Sequence, residues 1–297
     1  MKNIVFLVQD DNCGATFMLG KMVKHALDQF NIKSEIRHIN NFTLDFSAVD
    51  TLKDSLVFVY KHVPHKLVLN KLKENNNKLV MDVVDEYVRP GTTPEDLYSY
   101  EFFDGIILRM SRVLKEYTLP SHLEIKTIPH HWDIRLQNLD TTNKPNPKPV
   151  VTINDGRDMP HLQDLLKYKD VEFLGNFSYS QFSELIDKLN SYAIHYNVRN
   201  TDSVAYKFKP ATKLVTAAAL DTPLITNYDW AIQDLIPSDY PFLTEGKDYG
   251  EIANLINTFP GRGSKEHNYA LEILKEVKVK TALVNLIPEY LEFYKRF

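Results

Sequence analysis

A single cysteine, Cys13, stands in 297 residues, which excludes an intramolecular disulfide and fits a reducing compartment. No apolar stretch approaches the length of a membrane span, so no integral membrane association is expected. Basic charge is not in excess either: a formal net charge of -4 gives no global attraction to polyanions, and the locally basic run from Lys61 to Lys78 reads as a solvated helix face. Metal-ligand spacings such as CxxC or HExxH are missing, so no metal is expected. Also missing are the three-glycine dinucleotide fingerprint, the Walker A loop and the nucleophile-elbow serine. Their absence argues against a nicotinamide or flavin dehydrogenase, a P-loop ATPase and an α/β-hydrolase. The apolar start, Met1 to Val8, is followed at once by Asp10 and Asp11 with no small-residue cleavage site, and it reads as a first strand rather than a signal peptide. The expected location is cytoplasmic.

What is present is alternation. Short β-branched runs (Asn3 to Val8, Ser55 to Tyr60, Lys78 to Val83, Gly105 to Leu108, Ile125 to Ile128) are separated by stretches with apolar residues at helical spacing, such as Phe17 to Phe30 and Lys66 to Leu72. Strand and helix in turn imply a buried parallel sheet with right-handed crossovers. Length favours two units of about 150 residues each. The proline- and asparagine-rich stretch Asn138 to Pro149 suits a linker. After it the alternation restarts: strands Val150 to Ile153, Val171 to Leu174, Tyr192 to Tyr196 and Pro223 to Thr226, with helices Met159 to Tyr168, Tyr179 to Leu189 and Pro210 to Leu220. The expected division is therefore 1–140, 150–275 and a helical tail, 276–297, docking back on the first domain.

Ligands of open parallel sheets bind outside the carboxyl ends of the strands. Four segments near such ends carry candidate chemistry. In Lys209-Pro210-Ala211-Thr212-Lys213, proline suits the first helical position, so Thr212 and Lys213 fall in a first turn whose N–H groups, with two ammonium groups, make an anion site; solvated lysines are the blander reading. In Asn154-Asp155-Gly156-Arg157-Asp158, Gly156 allows close backbone approach and Arg157 offers a fork to two phosphate oxygens, although Asp-Gly is also an ordinary turn. His130 and His131 read as a polar wall, because neighbouring side chains on extended chain point to opposite sides and cannot easily share a metal. The loop Gln9 to Thr16, with Asp11 and Gly14, suits hydrogen bonding to a hydroxylated acceptor.

The order of these segments resembles the retaining GT-B glycosyltransferases of the family 4 group. Phe103 to Ser111 and Ile128-Pro129-His130-His131-Trp132-Asp133 resemble that group's segments before the interdomain crossing. Gly156-Arg157 resembles its diphosphate turn, Val171 to Gly175 the strand whose following loop meets the nucleobase, and Lys213 to Ile225 its Lys-Leu-Leu-Glu-Ala-Met-Ala-Leu-Gly-Lys-Pro-Val-Ile run. The resemblance implies two Rossmann-like doubly wound domains facing a cleft, with a C-terminal helical segment. It also implies a nucleotide-sugar co-substrate, UDP- or GDP-linked, and no other cofactor. Gly156, Arg157, Gly175, Asn176, Phe177, Lys209, Thr212, Lys213 and Thr216 would bind the donor, and Asp11, Gly14, His62 and His131 the acceptor. Arg157, Lys213 and Lys209 would stabilise the departing diphosphate, with Asp85, Asp11 or His62 as base if the reaction inverts. The pattern departs where the family's paired glutamates fall on Phe208 and Thr216 and its glycine on Asp221. A metal-dependent GT-A enzyme would need a DxD site, and Asp82-Val83-Val84-Asp85 has the wrong spacing. Two alternatives stay open: transfer to hydroxymethylated DNA bases, which needs a basic face for a nucleic-acid acceptor, and a non-catalytic two-domain ligand-binding protein.

Overall fold

The computed structural model describes residues 2–8, 14–39, 46–60, 63–84, 100–142, 149–151, 162–165, 167, 172–174, 181–199, 208–246 and 248–297. The chain divides into two compact units, Met1–Pro129 with Phe208–Pro210 and Leu283–Phe297, and His130–Lys207 with Ala211–Ala282. The first change of unit falls at Pro129/His130, ahead of the stretch Asn138 to Pro149 in which the sequence reading places it.

Unit one is built on a six-stranded parallel sheet in the order β2-β1-β3-β4-β5-β6. Its strands are β1 (Asn3–Val8), β2 (Ser34–His38), β3 (Ser55–Tyr60), β4 (Lys78–Asp82), β5 (Gly105–Leu108) and β6 (Glu124–Thr127). Ile4 to Val8 and Leu56 to Tyr60 are buried throughout, as continuous apolar strands must be when both sheet faces are covered. Each such side chain contributes roughly 1.5–3 kcal/mol on leaving water. The first crossover is a π-helical segment, Thr16–Met22, running into α1 (Val23–Gln29). Gly20 lets this helix lie close on β1, since a Cβ there would stand 3.2 Å from Val8 Cγ1.

Further crossovers are α2 (Lys66–Glu74) and α3 (Val113–Glu116). The carboxylate of Asp104, in the turn before β5, ties α2 to β4. It accepts from Lys73 Nζ at 2.8 Å, Lys78 Nζ at 2.9 Å and the Leu79 N–H at 2.9 Å. Burial pushes this carboxyl up, but the bonds from Lys73, Lys78 and Leu79 outweigh burial and hold it below the usual range. A depressed folded value stabilises at pH above the unfolded carboxylate range, and the contribution is lost as pH falls through the folded value. Asp104→Asn is therefore expected to cost about 1 kcal/mol at pH 7, modest because both lysines are partly solvated, and to cost little near pH 2–3. Denaturant titrations of both proteins at the two pH values check this.

Unit two holds a five-stranded sheet, order β11-β10-β9-β7-β8, parallel throughout. Its strands are β7 (Pro149–Val151), β8 (Glu172–Phe173), β9 (Ile194–Asn197), β10 (Leu224–Asn227) and β11 (Leu243–Thr244). The helices are α4 (Leu162–Leu165), α5 (Phe182–Ser191), α6 (Thr212–Ala219), α7 (Trp230–Gln233), α8 (Tyr249–Asn257) and α9 (Lys265–Lys280). The helical tail of the sequence reading is thus broken at Thr281–Ala282. Its second half, α10 (Leu283–Tyr294), packs in unit one with the Tyr294 ring centroid 4.7 Å from that of Phe58. Among the described residues no helix is long and apolar enough to cross a membrane.

α6 ends in a Schellman arrangement, with the Asp221 N–H on Ala218 O and the Thr222 N–H on Ala217 O. The arrangement requires left-handed backbone, and Asp221 has φ +48° where the resembling family carries glycine. Its carboxylate offsets the strain by accepting from Lys278 Nζ at 2.9 Å and Thr141 Oγ1 at 2.6 Å. Asp221→Ala keeps the strain without the bonds and is expected to lower stability by about 1–2 kcal/mol, whereas Asp221→Gly relieves the strain and loses less. Melting curves that rank the two variants the other way would contradict this reading of the helix end.

Candidate functional site

The carboxyl ends of the strands are where a parallel sheet presents groups to a ligand. In unit one, β4 and β5 end side by side, with Asp82 paired to Ile107 in register. Arg109, just past β5, reaches back to Asp82 through both carboxylate oxygens, Nε to Oδ1 at 2.8 Å and Nη2 to Oδ2. Nη1 of the same guanidinium donates to Ile128 O at 3.2 Å and to the Tyr290 hydroxyl of α10 at 2.9 Å. Both ions are buried. Burial opposes the Arg109 charge, but Asp82 and Tyr290 outweigh it and raise its pKa, so the guanidinium stays protonated. The guanidinium nitrogens are all directed at protein, so the cluster holds the sheet edge and α10 rather than a ligand.

In unit two, the edge formed by β9, β10 and β11 is strongly polar and buried. Asn227 Oδ1 accepts from the Arg199 N–H at 3.0 Å while its Nδ2 donates to Arg199 O at 2.9 Å, so one side chain fastens two strand ends. Arg199 Nη1 reaches Asp229 Oδ2 at 3.2 Å. The other oxygen of Asp229 caps α7 by accepting from the Ala231 and Ile232 N–H groups. Burial pushes the Asp229 carboxyl up; the Arg199 charge and the two N–H bonds only partly offset it. Beside this cluster Asn227, Tyr228, Ser238, Leu243, Thr244, Glu245 and Glu251 line a cleft of about 520 Å³.

α6 starts at the same edge, because its C-terminus feeds the beginning of β10. It begins at Thr212, and its N-cap, Ala211, supplies no side-chain acceptor. Thr212 and Lys213 are therefore the first two helical residues and both are partly exposed, as an anion site requires. Pro210 precedes the cap instead of opening the helix, a correction to the sequence reading. Thr216 turns its hydroxyl back onto Thr212 O at 2.8 Å. Lys209 lies in the short segment that packs with unit one, where the Phe208 and Tyr117 ring centroids are 5.5 Å apart, while Lys213 belongs to unit two.

The histidine pair departs from the expected polar wall. His130 and His131 are 5% and 0% exposed, and each directs Nδ1 at the next residue's carbonyl, at 2.7 and 2.8 Å. A carbonyl only accepts, so both Nδ1 atoms carry the proton. Trp132 continues the segment by donating from Nε1 to Lys278 O at 2.8 Å. His131 is fully buried, with its Nδ1 directed at the Trp132 carbonyl. Gly14, half-buried, opens the helical segment after β1. Asp11, His62, Asp85, Gly156, Arg157, Gly175, Asn176 and Phe177 lie outside the described residues. Among the described residues no group of three or more His, Cys, Asp or Glu side chains could hold a metal ion.

Neither a protein-family model nor a curated protein matches the sequence. Solved structures do match. HepE of Anabaena, in complex with UDP and glucose, is 15% identical with a TM-score of 0.62 and 100% of both chains covered. The UDP-forming α,α-trehalose-phosphate synthase of Burkholderia vietnamiensis is 10% identical with a TM-score of 0.64, covering 98% of this chain and 96% of its own. The sucrose-phosphate synthase of Thermosynechococcus elongatus is 11% identical with a TM-score of 0.58, covering 100% and 99%.

The chain has a mixed α/β fold that matches these structures, which are GT-B glycosyltransferases. At such identities the likeness carries the fold alone. Within a GT-B frame, sequence reasoning finds the α6 start from its proline and lysines. It misses Asp82–Arg109, Arg199–Asp229 and Asn227, whose partners are brought together by strand register and have no local sequence signature.

Proposed function

We propose that this protein is a glycosyltransferase that moves a sugar from a nucleotide-sugar donor to a hydroxyl acceptor. The observation that supports it most is likeness over essentially the whole chain to GT-B structures, of which HepE was solved with UDP and glucose. The start of α6 adds a local reason: an uncapped helix terminus with Thr212 and Lys213 in its first turn suits a diphosphate.

Cleaving the sugar–diphosphate bond makes an oxocarbenium-like sugar and a leaving group that gains charge, so fixed cations and N–H dipoles at the phosphates are the main protein contribution. Lys213, Arg157 and Lys209 take that role in the proposal, and Gly156 and Thr212 are further donor-binding residues. Gly175, Asn176 and Phe177 would meet the nucleobase. In same-face attack the departing phosphate oxygen takes the acceptor proton and anomeric configuration is retained; in an inverting reaction Asp85, Asp11 or His62 would be the base. UDP is the nucleotide the comparison favours, in a reaction without metal.

The test is calorimetric titration with UDP and UDP-glucose, alongside transfer assays with and without EDTA. Saturable binding is expected, with turnover unchanged by the chelator. Turnover lost in EDTA and restored by manganese would overturn metal independence, and absence of any nucleotide binding would overturn the donor site.

A further inference from the structure

At the carboxyl edge of the second sheet the buried polar groups Arg199, Asn227 and Asp229 are bonded to one another. Asn197, the last residue of β9, differs from these three. It is 2% exposed, and its Nδ2 has no hydrogen-bond partner. Its backbone carbonyl is held by Thr226 Oγ1 at 3.2 Å, so the strand end is fixed while the amide donor is left over. A buried donor without an acceptor is destabilising to the free protein and is rarely kept without cause.

The direction of the side chain follows from the strand. Alternation places Asn197 on the face of His195, whose Nε2 lies 2.9 Å from Leu189 O of α5. The steps β8 to β9 to β10 cross the sheet in one direction, so right-handed crossovers put α5 and α6 on that same face. The uncapped start of α6, over the carboxyl edge, thus shares a face with the unpartnered amide.

Resting on the proposed donor site, we propose that Asn197 is a binding residue of that site, its Nδ2–H donating to a diphosphate oxygen of the bound nucleotide. The empty protein then carries the cost of an unmade bond, and the ligand removes it.

The experiment compares wild type, Asn197→Ala and Asn197→Asp by melting without ligand and by calorimetric titration with UDP. Removing an unsatisfied donor is expected to leave the ligand-free melting temperature unchanged or higher in Asn197→Ala. UDP affinity should fall about tenfold in Asn197→Ala, and further in Asn197→Asp, where a carboxylate would face the diphosphate. Unchanged UDP affinity in Asn197→Ala overturns the inference and leaves the donor site standing. A large drop in ligand-free melting temperature also overturns it, by showing that the amide supports the fold. If wild type itself takes up no UDP, the donor reading falls and the inference with it.

Discussion

Replacing Arg109 by alanine is expected to lower the unfolding free energy by about 3–5 kcal/mol, the largest stability effect of any single change considered. The substitution leaves the Asp82 carboxylate buried without a counter-ion, and it strips the Tyr290 hydroxyl of its donor on α10. Desolvation of the stranded charge, more than loss of the attraction itself, sets the size. That cause makes a sharper expectation available. A double variant, Arg109→Met with Asp82→Leu, removes both charges, and it should recover much of the loss because a well-packed apolar pair often matches a buried ion pair. Equilibrium denaturation of the single and double variants measures it. Equal losses in both would mean that the pair is held for its hydrogen bonds to Ile128 O and Tyr290 and not for charge balance.

The second large effect is on turnover. Lys213 is the second residue of α6, where a cation opposes the helix dipole and an anion is favoured. Lys213→Ala should therefore melt within a degree or two of wild type without ligand, since relief of that opposition offsets whatever the lysine stem contributes to packing. In the proposed reaction the ammonium would face a diphosphate gaining charge, and loss of such an interaction costs roughly 3 kcal/mol, on the order of a hundredfold in kcat. The same variant should lose most of the stabilisation that UDP confers. Melting curves with and without UDP, beside transfer assays, separate the outcomes. A variant that gains as much from UDP as wild type places the phosphate elsewhere, and one that melts far lower without ligand assigns Lys213 to the fold.

How much of this is legible in the sequence depends on whether a signal is local. β1, β3, β4 and β5 can be read because a strand covered on both faces must be apolar throughout, and Ile4 to Val8 or Leu56 to Tyr60 have no other plausible use. β2 escapes because it is an edge strand whose Glu35, Arg37 and His38 interrupt the apolar pattern. β11, two residues long, is too short to leave one. The start of α6 is readable to within two residues because proline and the following polar residues mark helix starts. The division at Pro129/His130 is not, because the residues that decide it are distant in sequence: Trp132 bonds to Lys278 and Thr281 at the end of α9. A proline-rich stretch reports low helix and strand propensity, which is a different property from where one packed unit gives way to the next.

Site residues divide in the same way. Lys213 and Thr212 stand out because polar and basic residues just after a proline at a helix start form a local pattern. Asp82 draws notice only for failing a metal-site spacing, and Arg109 only as part of a family-like strand; their pairing follows from β4 and β5 being neighbours in register. Asp221 shows in the sequence as a departure from a glycine, and its φ of +48° with the Lys278 and Thr141 bonds explains how an aspartate serves there. The unpartnered amide of Asn197 is a consequence of burial, which no single-sequence pattern reports.

Sugar transfer from a nucleotide donor is decided by incubating the full chain with a panel of UDP- and GDP-sugars and measuring release of nucleoside diphosphate, with and without hydroxylated acceptors. Release is expected from at least one UDP-sugar, faster when the right acceptor is present and about a hundredfold slower in Lys213→Ala. Tight binding of a sugar or nucleotide with no release from any donor would contradict it and favour a binding protein built on the same fold.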